Sequence, residues 1–526
     1  MQEIRRIIII KNKIQRGNNM LNRKILSGIM MIFAIVLLSA CGNVTGSDRN
    51  QHLIIAQDGE PVTLDPHRTN DARSAVVINQ MLERLIRQDE QGVFHPWLAT
   101  EWEQIDELTY EFKLREDVYF HNGEPLRASD VVFSLRRAAN SATSSPILGV
   151  LDYDSIYEVD EFTVRVGTQE PFVPLLAHLA HTSGNILSQV AVETLGDDFG
   201  TQPVGTGSFQ IDQWFIGDRV ELVRFENYYG ETTSIDRLTF RNIPEAANRL
   251  IELETGQADI ALDISPFDMR ALENHADLNL VREDFLRSHY IGFNTSSAPF
   301  DDVRVRQAVH YAVDVDTILD TILEGVGVRS FGPLSHQVWA SNPDLYVYDY
   351  NVDRARELLA EAGLESGFTT NILTDLNTMN RNIAEVLQRQ LAAIGIQATI
   401  TSVEWASFLE TTNASDHEIF ITGWTNVTRD PDYGLFPLFH SSMQGPGGNR
   451  AFYSNPEVDR LLEAARQTVD PAAREALYLE VQELIVADSP WVFLNTGELL
   501  IGTRNNVQGF VPNPTGHHRL SGVFLD

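Results

Sequence analysis

The sequence has little sulfur chemistry to offer: one cysteine, Cys41, in 526 residues excludes an intramolecular disulfide and any cysteine-built zinc or iron–sulfur site. Positive charge is also scarce. The chain holds 40 Lys and Arg against 73 Asp and Glu, a formal charge of −33, which argues against nucleic acid as a partner because phosphate binding needs clustered cations. Reaction machinery is missing too, with no G-x-S-x-G elbow, no phosphate loop ending in Gly-Lys-Ser/Thr and no H-E-x-x-H. His417-Glu418 lacks the second histidine of a zinc helix. His178 and His181, three apart, and the adjacent His517 and His518 have no further ligand at metal-binding spacing, so they read as surface residues. Asp430 and Asp432 read as loop carboxylates that meet solvent. No enzyme, metal or cofactor is expected.

The apolar stretch ILSGIMMIFAIVLL, residues 25–38, follows Arg23 and Lys24 and is shorter than the ~20 residues that span a bilayer. Its basic–apolar–small order predicts a secretory signal over residues 1–40. Met20 is the better start, because residues 1–19 place a second basic and apolar patch ahead of that signal. The junction Leu38-Ser39-Ala40-Cys41-Gly42 resembles the lipobox of bacterial lipoproteins. That resemblance implies acylation of Cys41, cleavage before it, and a hold on the outer face of the cell membrane by several acyl chains. The location would be periplasmic where an outer membrane is present. Residues 1–40 hold seven basic residues and one acidic residue, so the chain from Cys41 onward carries −39.

At 43% hydrophobic and 21% charged residues the composition is globular, and the length calls for more than one hydrophobic core. GNVTGSDRNQ has no periodicity and reads as a tether over 41–50. From Leu53 onward, strand-like and helix-like segments alternate without repeats, the pattern of an α/β protein. Ile383, Leu387, Leu391 and Ile394 share one helical face closed by Gly395, and Ile396, Ala398 and Ile400 then alternate as a half-buried strand. Asn455 and Pro456 open another helix with Val458, Leu461, Leu462 and Ala465 inward. Val305, Ala308, Val309, Ala312 and Val313 form a third stripe. Gly205 and Gly207 in PVGTGSF suit a tight turn with positive φ, while Glu101, Trp102, Phe112, Leu114 and Phe120 mark a strand region explained by core packing.

Several long segments stand in a fixed order: EPVTLDPHRTND from Glu60, LATEWEQIDELTYEFKLREDVYFHNGEPLRASDVVFSLRRA from Leu98, PVGTGSF from Pro203, YIGFNTSSAPFDDVRVRQAVHYAVD from Tyr290, YNVDRARELLAEAGL from Tyr350 and AFYSNPEVDRLLEAAR from Ala451. Together they resemble the peptide, dipeptide and nickel class (family 5) of extracellular solute-binding proteins of ABC transporters, across nearly all of the chain after Cys41. DYGLFPLF followed by NRAFYSNPEVDRLL is nearer to the glutathione-binding branch. The resemblance implies a two-lobed α/β fold of the periplasmic-binding-protein type II, with an extra subdomain inserted in the first lobe. Residues 50–88, 202–287 and 493–526 would form lobe I, residues 89–201 the insert, and residues 288–492 lobe II. The crossovers would lie at YIGFN and SPWVFLN.

The function so implied is capture of a small peptide by hinge closure and delivery, by a monomer, to permease subunits served by cytoplasmic ATPase subunits. Glutathione or a similar di- or tripeptide is the expected ligand. The same fold also takes oligopeptides, nickel chelates, haem and oligosaccharides, and an extracellular hydrolase or sensing lipoprotein is the alternative from another class.

The resemblance places ligand contacts in ITGWTNVTRDPDYGLFPLFHSS, residues 421–442. Trp424 would stack on the ligand backbone, the alternative being an ordinary core Trp. Di- and oligopeptide binders grip the α-ammonium with an Asp three positions beyond this Trp, and here that position is Val427. Asp430 is left to supply that charge, with Arg429 as its basic partner and Tyr433 as the aromatic neighbour. Arg68, Thr69, Asn70 and Asp71 would face them from lobe I, Arg381 or Arg287 would add positive charge, and Asn294 completes the candidate set.

Overall fold

The computed structural model describes residues 51–526, apart from the side chain of Ser145. The signal, Met20, Cys41 and the tether lie outside the described residues. No helix among the described residues is long and apolar enough to cross a membrane.

Two strands organise the molecule because they are long enough to belong to both lobes. Leu278–Phe293 and Trp491–Arg504 pair antiparallel through 16 and 14 residues respectively. Beyond the C-terminal half of Trp491–Arg504, the sheet continues in order through Ile260–Ala261, His52–Gln57, Arg237–Asn242, Arg219–Arg224 and Phe209–Phe215. Beyond the C-terminal half of Leu278–Phe293 it continues through Ile419–Thr425, Thr369–Asp375 and Gln397–Val403. The short strand Val328–Arg329 also pairs with Trp491–Arg504, which completes eleven strands. Helices cover this sheet, giving the two-lobed α/β architecture expected.

The register of the two long strands breaks where the lobes meet. Asp284 faces Glu498 and Ser288 faces Thr496, so Phe285, Leu286 and Arg287 stand opposite the single residue Gly497. A surplus of this kind bends a strand and increases its local twist.

The periodic segments fold as their spacing predicts. Thr378–Ala392 is a helix that buries Ile383, Leu387 and Leu391, and Gly395 ends the turn with φ +87°, a conformation with no steric penalty only for glycine. The strand Gln397–Val403 follows at once. Asn455 caps Pro456–Gln467 by accepting from the Glu457 N–H at 3.0 Å, and Val458, Leu461, Leu462 and Ala465 pack inward. Val305, Ala308, Val309 and Ala312 are buried along Val303–Ala312, with Val313 buried at its end. Between residues 99 and 167 lies a separate antiparallel sheet, ordered Ala99–Gln104, Thr109–Leu114, Thr163–Gly167, Tyr157–Asp160. Phe112, Leu114 and Phe120 build its core with Val131 and Leu135 of the helix Ala128–Ala139, while Trp102 packs at its margin and Glu101 lies exposed beside Lys113.

The glycines of PVGTGSF serve a different purpose from the one their sequence suggests. Neither has positive φ. A Cβ on Gly205 would stand 2.3 Å from the Met81 carbonyl oxygen, and one on Gly207 would stand 2.7 Å from that of Gln80. Both lack a side chain because the segment lies directly on the end of the helix Ala72–Met81, where the Gly207 N–H donates to the Met81 carbonyl at 2.8 Å. Gly205→Ala is therefore expected to destabilise the fold by about 1–3 kcal/mol, the cost of overpacking against atoms that cannot move aside. A lower urea midpoint with an unchanged denaturant slope would show it.

Candidate functional site

A cavity of about 280 Å³ lies between the lobes at the level of the long strands, near the lower end of the ~300–1,000 Å³ usual for small-ligand sites. The first lobe lines it with Asp58 and the segment Thr69–Arg73, and the second with Asp375, Trp405, Thr422–Thr425, Tyr433 and Arg450. Arg287, His289, Asn495 and Gly497 line it from the crossing strands themselves.

Local structure explains how these groups arrive there. Asp71 caps the helix Ala72–Met81 by accepting from the Ser74 N–H at 3.0 Å, and Thr69 Oγ1 donates to its other oxygen at 2.5 Å. That turn holds residues 69–71 at the cleft. The strand Ile419–Thr425 pairs with residues 287–293 on one side, but on the other Thr369–Asp375 reaches only Ile419 and Phe420. From Ile421 onward that outer edge carries no partner strand among the described residues, and Thr422, Gly423 and Trp424 line the cavity along it. An uncovered edge is where an extended peptide can add main-chain hydrogen bonds.

Trp424 is half-buried and anchored, its Nε1 donating to the Tyr433 carbonyl at 3.0 Å with the two rings 5.1 Å apart. It packs against the core of the second lobe and against the core built on the separate sheet of residues 99–167, so the ring is part of the cavity wall. Tyr433 Oη lies 3.1 Å from His181 Nε2 across the cleft.

The charged groups divide into engaged and unengaged. Arg73 Nη2 reaches Asp58 at 2.7 Å and Asp375 at 2.9 Å, with its guanidinium 4.6 Å from the Trp405 ring centroid. Burial alone would raise the pKa of Asp58, but Arg73 holds it well below the usual carboxylate range. Arg249 donates to the carbonyls of Leu262, Ile243, Pro244 and Asp263 at 2.6–2.9 Å, so its charge is spent on backbone. Arg450 is different. It is 7% exposed, and among the described residues its Nε has no hydrogen-bond partner and Nη1 makes only a 3.4 Å contact with the Gly448 carbonyl. Burial lowers its pKa, against the pull of Tyr290, Tyr433 and Asp71. A buried guanidinium without a carboxylate is costly unless something supplies the counter-charge.

The lobes touch on both flanks of the cavity. On one flank Glu245 accepts from Arg381 at 2.9 Å and from Thr378 at 2.8 Å, beside the Arg73–Asp375 pair. On the other, His178 of the insert meets Asp432 of the second lobe at 3.0 Å, and Arg466 bonds the same carboxylate at 2.7 Å. These contacts hold the two lobes together across the cavity.

Of the residues singled out in the sequence, the structure brings Thr69, Asn70, Asp71, Trp424, Tyr433 and Arg287 to the cavity. The others lie elsewhere. Asp430 forms a two-pronged pair with Arg474 at 2.7 and 2.9 Å. Arg429 turns to the Glu90 carbonyl at 2.6 Å, and Arg68 is an exposed residue paired with Asp197 at 2.8 Å. Arg381 belongs to the Glu245 contact outside the cavity. Asn294 is fully buried, donating to the carbonyls of Ser415 and His417 and to Ser415 Oγ at 2.8–3.1 Å.

The polar residues read as solvent-facing need correction. His178, His181, His518 and Asp432 are buried, and His517 is half-buried with His518 beside it on the cavity wall. His178, His181 and Asp432 are held by partners far away in the chain, which no spacing rule reveals, whereas His518 is bonded by the nearby Asn513 N–H. Arg450, Arg73, Asp58 and Asp375 were not anticipated at all. The one signal available for Arg450 is its place just before AFYSN, a segment that packs inward.

Comparison with known proteins bears on this arrangement. Residues 93–446 match the model of the bacterial extracellular solute-binding proteins, family 5. The chain is 32% identical over 472 residues to the glutathione-binding protein GsiB of Pectobacterium atrosepticum, covering 88% of this chain and 91% of that one. It is 29% identical over 517 residues to the dipeptide-binding protein of Escherichia coli, covering 92% and 96%. Among solved structures, the periplasmic binding protein DppA of Helicobacter pylori, in complex with the peptide STSA, superposes with a TM-score of 0.86 at 28% identity, over 92% of this chain and all of that one.

Proposed function

This chain belongs to the bacterial extracellular solute-binding proteins of family 5, and from that premise we propose that it captures a small peptide between its lobes and hands it to an ABC permease. Glutathione, or a di- or tripeptide like it, is the proposed ligand. In this reading Cys41 carries the lipid that tethers the protein, and residues 50–88, 202–287 and 493–526 move as one lobe against residues 288–492, with 89–201 riding on the first.

The observation that carries the reading is Arg450, a buried cation in the cleft with no carboxylate bonded to it. A peptide carboxylate supplies that missing charge, and the edge at Thr422–Trp424 accepts the peptide main chain. With Val427 where an ammonium-binding Asp would stand, Asp71 and Asp263 are, among the described residues, the cavity carboxylates not paired with an arginine, since Asp58 and Asp375 hold Arg73 and Glu498 holds Arg282. Two relatives named for glutathione and dipeptides support the same chemistry.

Closure follows from differential affinity: moving the population from 1:99 to 99:1 requires about 5.5 kcal/mol of preference for the closed form. A ligand touching both Asp71 and Arg450 meets that condition only when the lobes are together. Calorimetric titration with reduced glutathione, oxidised glutathione, a neutral dipeptide and nickel–histidine tests the proposal. Saturable binding of glutathione with a compaction visible in solution scattering is expected. Binding of nickel–histidine alone, or of nothing, would remove it.

A further inference from the structure

The strand irregularity at the lobe junction turns one basic side chain into the cleft. Arg287 is the third of the three residues opposite Gly497, and it lines the cavity. Asp263, Asp58 and Asp375 favour its charge from a distance, but among the described residues no carboxylate is bonded to it. Asp58 and Asp375 are taken by Arg73, and Arg249 is held by four carbonyls. Among the described residues, the one hydrogen bond from the Arg287 side chain goes from Nε to His289 Nε2 at 3.1 Å. Burial lowers the His289 pKa to about 3, so that ring is a neutral acceptor. Asp263 is the nearby carboxylate left over, and burial followed by repulsion from Asp58 raises its pKa, which weakens it as a counter-ion.

Room for the guanidinium is made by one glycine. A Cβ on Gly423 would stand 2.6 Å from Arg287 Nε and 2.8 Å from the His289 ring. Gly423 lies on the uncovered strand edge between Thr422 and Trp424, so an anion bound by Arg287 lies beside the course of an extended ligand.

We infer that Arg287 is a second carboxylate anchor, seated in the flexing strand itself, which makes this protein selective for peptides bearing a carboxylate beyond the C-terminal one. The inference rests on the peptide-binding reading above and adds the substrate class to it. Because the anchor belongs to the segment that bends, its contact with the ligand forms together with closure, and a side-chain carboxylate contributes to shutting the lobes as well as to holding the peptide.

The test compares two peptides of equal size, Ala-Glu and Ala-Gln, titrated into the purified chain and into Arg287→Gln, Arg287→Lys and Gly423→Ala. The wild-type chain is expected to prefer Ala-Glu by roughly tenfold or more, the scale of a desolvated charge pair. Arg287→Gln is expected to abolish that ratio and Arg287→Lys to retain part of it. Gly423→Ala, which keeps the charge but displaces it, is expected to shrink the ratio as well. Equal affinity of the wild-type chain for both peptides, or an Arg287→Gln chain with the wild-type ratio, overturns the inference and leaves peptide capture standing. A wild-type chain that binds neither peptide nor glutathione overturns both.

Discussion

Arg450→Ala is expected to weaken peptide binding by two to three orders of magnitude while raising the melting temperature of the ligand-free protein. The two effects have one cause. In the structure the guanidinium is buried, has no carboxylate bonded to it among the described residues, and holds one long contact to the Gly448 carbonyl. Removing an uncompensated charge of this kind relieves the fold. The surrounding turn does not depend on the side chain, because the Arg450 N–H donates to the Gly448 carbonyl at 2.8 Å and the Arg450 carbonyl accepts from His417 Nε2 at 2.9 Å. In the complex the same charge faces a carboxylate in a water-poor cleft, and truncating one partner of such a pair costs about 2–5 kcal/mol. Calorimetry and a thermal melt read the two quantities separately. A variant that binds glutathione as the wild type does would show that Arg450 is not the anchor, and one with a lower melting temperature would show that its charge is already compensated.

Asp432→Asn is expected to produce the largest loss of stability, about 3–5 kcal/mol, because it leaves a buried arginine without its counter-ion. Asp432 is fully buried, Arg466 is 11% exposed, and His178 approaches the same carboxylate from the insert. The Arg466 guanidinium is also flanked by the Phe436 ring at 3.2 Å and the Phe172 ring at 5.2 Å, which keeps most of it from solvent. The pH dependence has a definite sign. Burial alone would raise the Asp432 pKa, but the Arg466 charge and the His178 contact hold it well below the usual range. A depressed carboxyl stabilises the fold above its unfolded pKa of about 3.9, and that contribution drains away as pH falls below it. The gap between wild type and Asp432→Asn in urea unfolding is therefore widest near neutrality and narrows in acid. A gap independent of pH between 7 and 3 would contradict the assignment. Since His178 and Asp432 lie on opposite sides of the cleft, the variant is also expected to populate the open form more.

Local pattern made most of the fold legible. The stripe through Ile383, Leu387 and Leu391 and the Asn455 cap needed only the helical repeat and turn chemistry, and the ordered motifs from Glu60 to Ala451 pointed to the two-lobed architecture. Where side-chain absence mattered, pattern misled: Gly205 and Gly207 are small because Met81 and Gln80 lie against them, and that proximity is a property of the folded chain. The site divides along the same line. Thr69–Asp71 and Trp424 follow from motif positions on one element each. Arg450, Arg73 and Asp375 matter through what lies around them, and neither burial nor the absence of a partner is written in a run such as GGNRAFYSN. Asp430 and Asp432, two residues apart, take Arg474 and Arg466 respectively, a choice made entirely by helices that arrive later in the chain.

The sharing of Arg73 between Asp58 of its own lobe and Asp375 of the other affects how readily the protein lets go of its cargo. When the halves separate, the guanidinium forfeits Asp375 but keeps Asp58, bonded through both Nε at 2.9 Å and Nη2 at 2.7 Å. The cation is never left without a counter-ion, and only Asp375, which keeps hydrogen bonds from Asn380 and Asn377, has to be rehydrated, so this clasp resists parting less than a lone cross-lobe pair would. In the proposed cycle of capture and release, the cargo rather than the clasp would then decide how long the jaws stay shut.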